Sequence, residues 1–386
     1  VCRVVTVPIS FVGLLSEQLR YLRDQGIRLI LVSSPGPELD TLASSLQIPY
    51  HPIFITRQPN PKYDMLALYE LIRYFRSERF DIVHSVTPKA GLLTALAGKI
   101  ARIPIRLHTY TGQVWVESQG VSRAVIREFD RLVAILNTRC YADSHSQRQF
   151  LIDEGLVNPT KISVIGAGSI AGVDLTRFNP DRFLPDAREQ MRHSLGISQT
   201  SFVILFVGRI TKDKGIAELV EVFSMLLASE IDTDLIFVGP FEPERDPLPE
   251  DTIKKIEDCP KIHVVGFSHE PERFMALANV LCLPSYREGF GGVAIEAAAM
   301  GLPVVGTSIV GLRDAVEDGV TGVLVLPKNP EDLYDALSGL IANPEKQQLL
   351  GQRGRERVEK LFDAKIINAA QDSEYHRLAS CYLALR

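Results

Sequence analysis

Apolar positions along this 386-residue chain come in two kinds of run. Short stretches are aliphatic at nearly every position. Between them lie longer stretches in which apolar residues recur every three to four positions. The first pattern is that of parallel strands covered on both faces, the second that of amphipathic helices. Strands are predicted at 4–7, 28–32, 82–84, 105–109 and 162–165, then at 203–207, 235–238, 263–265, 280–283, 304–306 and 322–325. Helices such as 15–24, 65–77 and 216–227 alternate with them, and a βαβα order implies α/β sheets. The rhythm breaks over 174–199, where Pro180, Pro185 and many charges leave little strand character, and then restarts. This predicts two doubly wound, Rossmann-like domains, 1–173 and 200–364, joined by a linker at 174–199, with a final helix near 365–386 crossing back onto the first. Open sheets of this kind bind ligands beyond the carboxyl ends of their strands. Two of them facing across a cleft would present two ligands to one another, as a group transfer requires.

Composition narrows the class. Apolar residues make up 46% and charged residues 23%, which excludes a disordered, collagen-like or coiled-coil architecture. No apolar run reaches the ~18 residues of a membrane span, and no signal-peptide pattern opens the chain. The five cysteines, Cys2, Cys140, Cys259, Cys282 and Cys381, are scattered and form no CxxC pair. That argues against a disulfide framework or a zinc site and for a reducing cytoplasm. The net charge of −5 is unevenly spread: residues 1–173 carry 19 basic and 14 acidic side chains (+5), the remainder 23 and 33 (−10). The positive half is expected to face an anionic partner.

Two clusters carry candidate chemistry. In the first, Ser285-Tyr286-Arg287-Glu288-Gly289-Phe290-Gly291-Gly292-Val293-Ala294-Ile295-Glu296 follows the predicted strand 280–283 and opens a helix. Its glycines let backbone N–H groups approach a ligand, and the helix start favours a phosphate or a sugar hydroxyl. Glu296 is a charge set among Ile295 and Ala297-Ala298-Ala299; a buried carboxylate needs partners, and a ribose diol would serve. In the second, Gly208-Arg209-Ile210-Thr211-Lys212-Asp213-Lys214-Gly215 follows strand 203–207, and Arg209 and Lys214 could converge on a diphosphate.

Together the clusters resemble the family 4 glycosyltransferases, retaining enzymes of the GT-B fold. The family's G-R-x-x-x-x-K-G stands as Gly208-Arg209 through Lys214-Gly215, and its E-x7-E as Glu288 and Glu296. Gly301-Leu302-Pro303-Val304-Val305 and Gly311-Leu312 look like the family too, and the similarity is strongest over 200–330. The resemblance implies a catalytic set of Glu288, Arg209 and Lys214. Arg209 and Lys214 would neutralise the donor diphosphate, and Glu288 would hold the transferred sugar without acting as a nucleophile. The amides of Phe290, Gly291, Gly292 and Val293 would touch sugar and phosphate, Glu296 the ribose, and the Gly266-Phe267 turn the base. Gly13 would lie near the donor phosphates. On the acceptor side, Lys89 could hold a phosphate, Thr111 stands where many relatives carry a histidine, and Ser169 would touch donor or acceptor. His108 is expected to be structural, because a strand turns residues an odd number apart to opposite sides.

Other patterns are set aside. Gly166-Ala167-Gly168-Ser169-Ile170-Ala171-Gly172 has the wrong spacing and place for a dinucleotide site. Asp232-Thr233-Asp234 precedes its strand and is expected to be a surface turn, so no metal is expected. Arg123, Arg127 and Arg131 recur every four residues on a predicted helix, preceded by Trp115, and suggest peripheral contact with an anionic membrane at the inner face of the plasma membrane. The expected activity is transfer of a hexose from a nucleotide diphosphate sugar, with UDP the nucleotide implied, to a saccharide or lipid-linked saccharide in polysaccharide biosynthesis. No cofactor and no nucleic-acid partner are expected. A nucleotide-sugar epimerase on the same fold and a non-catalytic nucleotide-sugar-binding protein are the alternatives.

Overall fold

A computed structural model describes residues 1–244 and 246–383. Its contacts divide the chain into two compact units: Val1–Gly172 with Ala364–Arg386, and Val173–Asp363.

The first unit is built on seven parallel strands: β1 (Cys2–Val4), β2 (Ile30–Ser33), β3 (Tyr50–Pro52), β4 (Ile82–Ser85), β5 (Ile105–Tyr110), β6 (Arg139–Ala142) and β7 (Ile162–Val164). Their order is β3-β2-β1-β4-β5-β6-β7, so the winding reverses between β1 and β4. Strands β3 and β6 are absent from the sequence prediction. The helix Pro61–Glu78 starts earlier than predicted because Asn60 caps it, accepting from the Tyr63 amide, with Pro61 fitting the first turn. Apolar side chains fill both faces of the sheet, Leu19, Leu31 and Leu107 on one and Leu71, Phe75 and Val83 on the other. The helix Ala364–Leu383 packs on Ser16–Asp24 and belongs to this unit; the predicted helical positions 384 to 386 lie outside the described residues. Its Tyr375 is buried, and the hydroxyl accepts from Arg3 Nη1 (2.5 Å) and bonds His84 Nδ1 (2.7 Å).

The second unit has six parallel strands: β8 (Phe202–Val207), β9 (Thr233–Val238), β10 (Ile262–Gly266), β11 (Val280–Leu283), β12 (Val304–Thr307) and β13 (Gly322–Val325). They are ordered β10-β9-β8-β11-β12-β13, with the reversal between β8 and β11. Every residue of β9, β11 and β12 is buried, which is why these runs lack alternation. The segment read as a linker carries a helix, Pro185–Ser194, and packs within this unit. Arg192 there donates to the carbonyls of Leu277 (2.8 Å) and Ser201 (3.0 Å).

The expected surface turn at 232–234 is corrected. Thr233 and Asp234 open β9, and Asp234 is fully buried. Its carboxylate accepts from Ser201 Oγ (2.5 Å) and Lys261 Nζ (3.1 Å) and bonds His263 Nε2 (2.7 Å). Burial alone would raise its pKa, but these three partners hold it below the ordinary value. The motif is a structural ion cluster at the amino end of the sheet. By unit, the charge imbalance is sharper than by half: the C-terminal helix segment brings the first unit to 22 basic and 16 acidic residues (+6), leaving the second 20 and 31 (−11).

Candidate active site

In the second unit the loops after β8 and β11 leave the sheet side by side, at the point where the strand order reverses. That is where an open α/β sheet makes room for a ligand. The two motifs, more than seventy residues apart in sequence, meet there: Lys214 Nζ donates to Glu288 Oε1 at 2.5 Å. Glycines permit the approach. Gly215 has φ +68°, and a Cβ on it would stand 2.1 Å from the Pro284 carbonyl oxygen. Gly311, φ +89°, passes so close that a Cβ would lie 2.5 Å from the Gly289 oxygen and 2.7 Å from that of Glu288.

The charges form a ring of exchanged partners. Arg209 Nη1 donates to Glu242 Oε2 (3.1 Å), and Arg209 Nη2 lies 3.8 Å from Asp213 Oδ2. Asp213 also accepts from Thr211 Oγ1 (2.6 Å) and Arg287 Nη2 (3.3 Å). Burial would raise Asp213, but the Thr211 bond and the nearby Lys214, Arg209 and Arg287 outweigh it, so its pKa is lowered. The helix Gly292–Ala299 starts beside this ring, with Gly291 at φ +87° as its N-cap. Cations and the open amides of a helix start make a seat for an anion. Phe290 is buried against Phe362 and anchors the turn, ring centroids 5.2 Å apart. Val293 lies in the first turn, and Glu296 is half-buried one turn on. Burial pushes Glu296 up to about 7, partly offset by Arg177, while Glu272 adds to the rise. Gly266, φ +80°, ends edge strand β10 and leaves Phe267 exposed.

In the first unit the sequence-predicted residues are spread over several loops. Gly13 lies near the end of the short helix Ile9–Leu14, just ahead of the helix Ser16–Asp24, and space around it is open. Lys89 Nζ donates to Asp64 Oδ1 (2.7 Å), Thr56 Oγ1 (2.8 Å) and the Gln58 carbonyl (2.5 Å), which uses all three of its protons. Thr111 is half-buried in the loop after β5. Ser169, at φ +65°, donates its amide to the Asp143 carbonyl (2.7 Å) and accepts from the Gly172 amide (3.2 Å). His108 is buried, bonded to Ser85 Oγ (3.0 Å) and packed on Gly91; burial lowers it to about 3, so it stays neutral.

The sequence model described as "Glycosyl transferases group 1" matches residues 187–357, and that described as "Glycosyltransferase Family 4" matches 14–169. The chain is 32% identical over 372 residues to the capsular polysaccharide biosynthesis glycosyltransferase CapM of Staphylococcus aureus, covering 96% of this chain and 95% of that one. The chain belongs to glycosyltransferase family 4. It is also 27% identical to a UDP-Gal:alpha-D-GlcNAc-diphosphoundecaprenol alpha-1,3-galactosyltransferase of Escherichia coli, over 80% of this chain and 78% of the relative. Among solved structures, Anabaena Alr3699/HepE in complex with UDP superposes with a TM-score of 0.78 at 20% identity, covering 97% of this chain and 99% of the other. The fold is GT-B. This glycosyltransferase is thus a transferase of glycan or polysaccharide biosynthesis.

Several site-shaping residues escaped the sequence reading. Glu242 and Asp246 come from the loop after β9 and reach the Gly208–Gly215 turn, Asp246 Oδ2 accepting from the Asp213 amide (2.6 Å). Gly239 lets that loop nest: a Cβ there would stand 1.8 Å from the Gly208 oxygen. The Gly208–Gly239 pair, each glycine directly after a strand, was the available signal. Trp115 is not an exposed residue beside the arginine stripe. It is buried, its indole N–H donates to Asp130 Oδ2 (2.8 Å), and Arg127 is tied to Glu154 (3.3 Å). Among the described residues no group of His, Cys, Asp and Glu has metal-ligand geometry.

Proposed function

We propose that this protein is a retaining, metal-independent hexosyltransferase that takes its sugar from a UDP-hexose. The observation that carries the reading is the meeting of Arg209, Lys214 and the start of the helix Gly292–Ala299 at the strand-order reversal of the second unit. Arg209, Lys214 and the amides of Phe290, Gly291, Gly292 and Val293 hold the diphosphate, and Glu288 holds hydroxyls of the hexose. Glu296 accepts from the ribose hydroxyls, and Gly266-Phe267 borders the base. The bond from the sugar's C1 to the diphosphate oxygen breaks, and the acceptor oxygen bonds to C1 from the same face. The hydroxyl proton passes to the departing diphosphate. UDP is supported by the named activity of the Escherichia coli relative and by the UDP-bound Anabaena structure.

The acceptor is a saccharide or lipid-linked saccharide hydroxyl, met by the positively charged first unit. Gly13 lies in the short helix after β1, Thr111 and Ser169 lie on loops after β5 and β7, and Lys89 reaches an acceptor phosphate only by leaving Asp64. We infer peripheral contact with an anionic membrane through the helix Gly120–Leu136, which exposes Val121, Val125 and Phe129 beside Arg123 and Arg131. No described helix is long and apolar enough to span a membrane. Release of UDP from a panel of UDP-hexoses, with and without lipid-linked saccharide pools, tests the transfer. Arg209→Ala and Lys214→Ala should each slow it by about 100-fold, on the order of 3 kcal/mol. Near-normal turnover in both, or binding without cleavage under every condition, overturns the reading. Sedimentation with anionic vesicles tests the membrane face: unchanged binding of Val121→Glu/Arg123→Ala/Arg131→Ala removes it.

A further inference from the structure

Glu242 sits on none of the recognised motifs, yet its place is fixed. The amide of Ile210 donates to the Pro240 carbonyl (2.9 Å), and Ile210 and Phe241 form a parallel bridge. The loop after β9 therefore runs alongside the turn that carries Arg209, and Glu242 Oε2 accepts from Arg209 Nη1 at 3.1 Å. Both side chains are about a quarter exposed, 26% for Arg209 and 23% for Glu242. The second carboxylate near Arg209 differs in kind. Asp213, at 3.8 Å, is held by Thr211 and Arg287 and belongs to the same turn as Arg209. Glu242 comes from another strand's loop, whose backbone pairing to the Arg209 turn does not depend on its carboxylate.

We propose that Glu242 is an exchangeable counter-ion: it occupies Arg209 in the empty site, yields it to the diphosphate of the incoming donor, and reclaims it when the nucleoside diphosphate leaves. The inference rests on the reading of Arg209 as a diphosphate ligand. With only Asp213 at 3.8 Å beside it, the partly buried guanidinium is poorly compensated, so a second carboxylate at 3.1 Å stabilises the site before the donor binds. The same carboxylate repels the anion that replaces it. Glu242 thus weakens diphosphate binding and speeds its departure, which matters where product release limits turnover. A nucleoside without phosphates does not compete for Arg209 and is indifferent to Glu242.

Calorimetric titration of UDP, ADP and GDP, and of the matching nucleosides, into wild type, Glu242→Gln, Arg209→Ala and the double variant tests this. Glu242→Gln should bind the preferred diphosphate about tenfold more tightly and release it more slowly in stopped flow, with nucleoside affinity unchanged. The gain should vanish in the Arg209→Ala background. Glu242→Asp, which keeps the charge on a shorter stem, should fall between. If Arg209→Ala weakens the diphosphate against its nucleoside but Glu242→Gln does not tighten it, the counter-ion role is overturned and the diphosphate reading stands. If Arg209→Ala leaves the diphosphate unaffected, the diphosphate reading fails and the counter-ion goes with it. Thermal melts of each variant separate these results from loss of folding.

Discussion

Replacing Gly215 with alanine probes the crossing on which the site depends. Two costs are separable. Gly215 has φ +68°, and a non-glycine residue there costs roughly 1–2 kcal/mol in backbone strain. The added Cβ would also lie 2.1 Å from the Pro284 oxygen, where real contacts do not fall below 3.0 Å, so the two loops must part by about 0.9 Å (3.0 − 2.1). Both contacts are backbone-bound, and neither loop can yield without moving Lys214 away from Glu288. Displacements near 1 Å in such a constellation cost about 100-fold in rate. Gly196→Ala is the control: Gly196 has φ +73° with nothing within 4 Å of its Cβ, so it carries the strain without the collision. Thermal unfolding and UDP affinity should be measured for both variants. Gly196→Ala should lower the melting temperature and leave UDP affinity alone. Gly215→Ala should lower it further and weaken UDP strongly. Equal melting temperatures with wild-type UDP affinity in both would refute the interlocked-loop argument.

Three further outcomes follow from the same structure. Burial raises Glu296 to about 7, and if its ionised form takes the ribose hydroxyls, nucleotide affinity should rise from pH 6 to 8 and release a proton on binding. Calorimetry in buffers of different ionisation enthalpy reads the proton, and Glu296→Gln should abolish the dependence. Asp234→Asn should destabilise the second unit by about 1–3 kcal/mol, because Ser201 and His263 lose a charged acceptor, while Lys261, partly exposed, keeps Asp232. The sign with pH follows from the depressed pKa of Asp234: its contribution is present above the unfolded value near ~4 and is lost as pH falls through the folded value, so the variant's acid unfolding should be shallower. Gly91→Ala should destabilise the first unit, since its Cβ would stand 2.5 Å from the buried His108 ring; thermal melts with an unchanged midpoint would show that the ring is free to move.

The limits of legibility fall on particular elements. Strands at 280–283 and 322–325 were placed to the residue because they are buried runs bounded by turns. Strand β3, Tyr50–Pro52, was missed because it is an exposed edge strand that ends in proline, a residue that argues against a strand. Strand β6 begins with Arg139, whose charge masked a run that is otherwise buried. Trp115 reads as an interfacial residue until Asp130, fifteen positions on, is seen to receive its N–H.

By itself the sequence determined the alternation of strands and helices, the restart of the pattern, and the two motifs that mark a glycosyltransferase. Those features depend on periodicity and on residues a few positions apart, which the chain carries locally. Tertiary structure alone decided which charges meet. Arg209 finds Glu242 and Lys214 finds Glu288 because parallel pairing sets β9 and β11 on either side of β8, which brings loops 33 and 74 residues apart to one edge. The same pairing turned Asp234 from an apparent surface acid into a buried one, since Lys261 and His263 reach it from the neighbouring strand. Sequence spacing encodes the pitch of each element, whereas the partners of a charge are fixed by strand order and register, which emerge only when the sheets assemble.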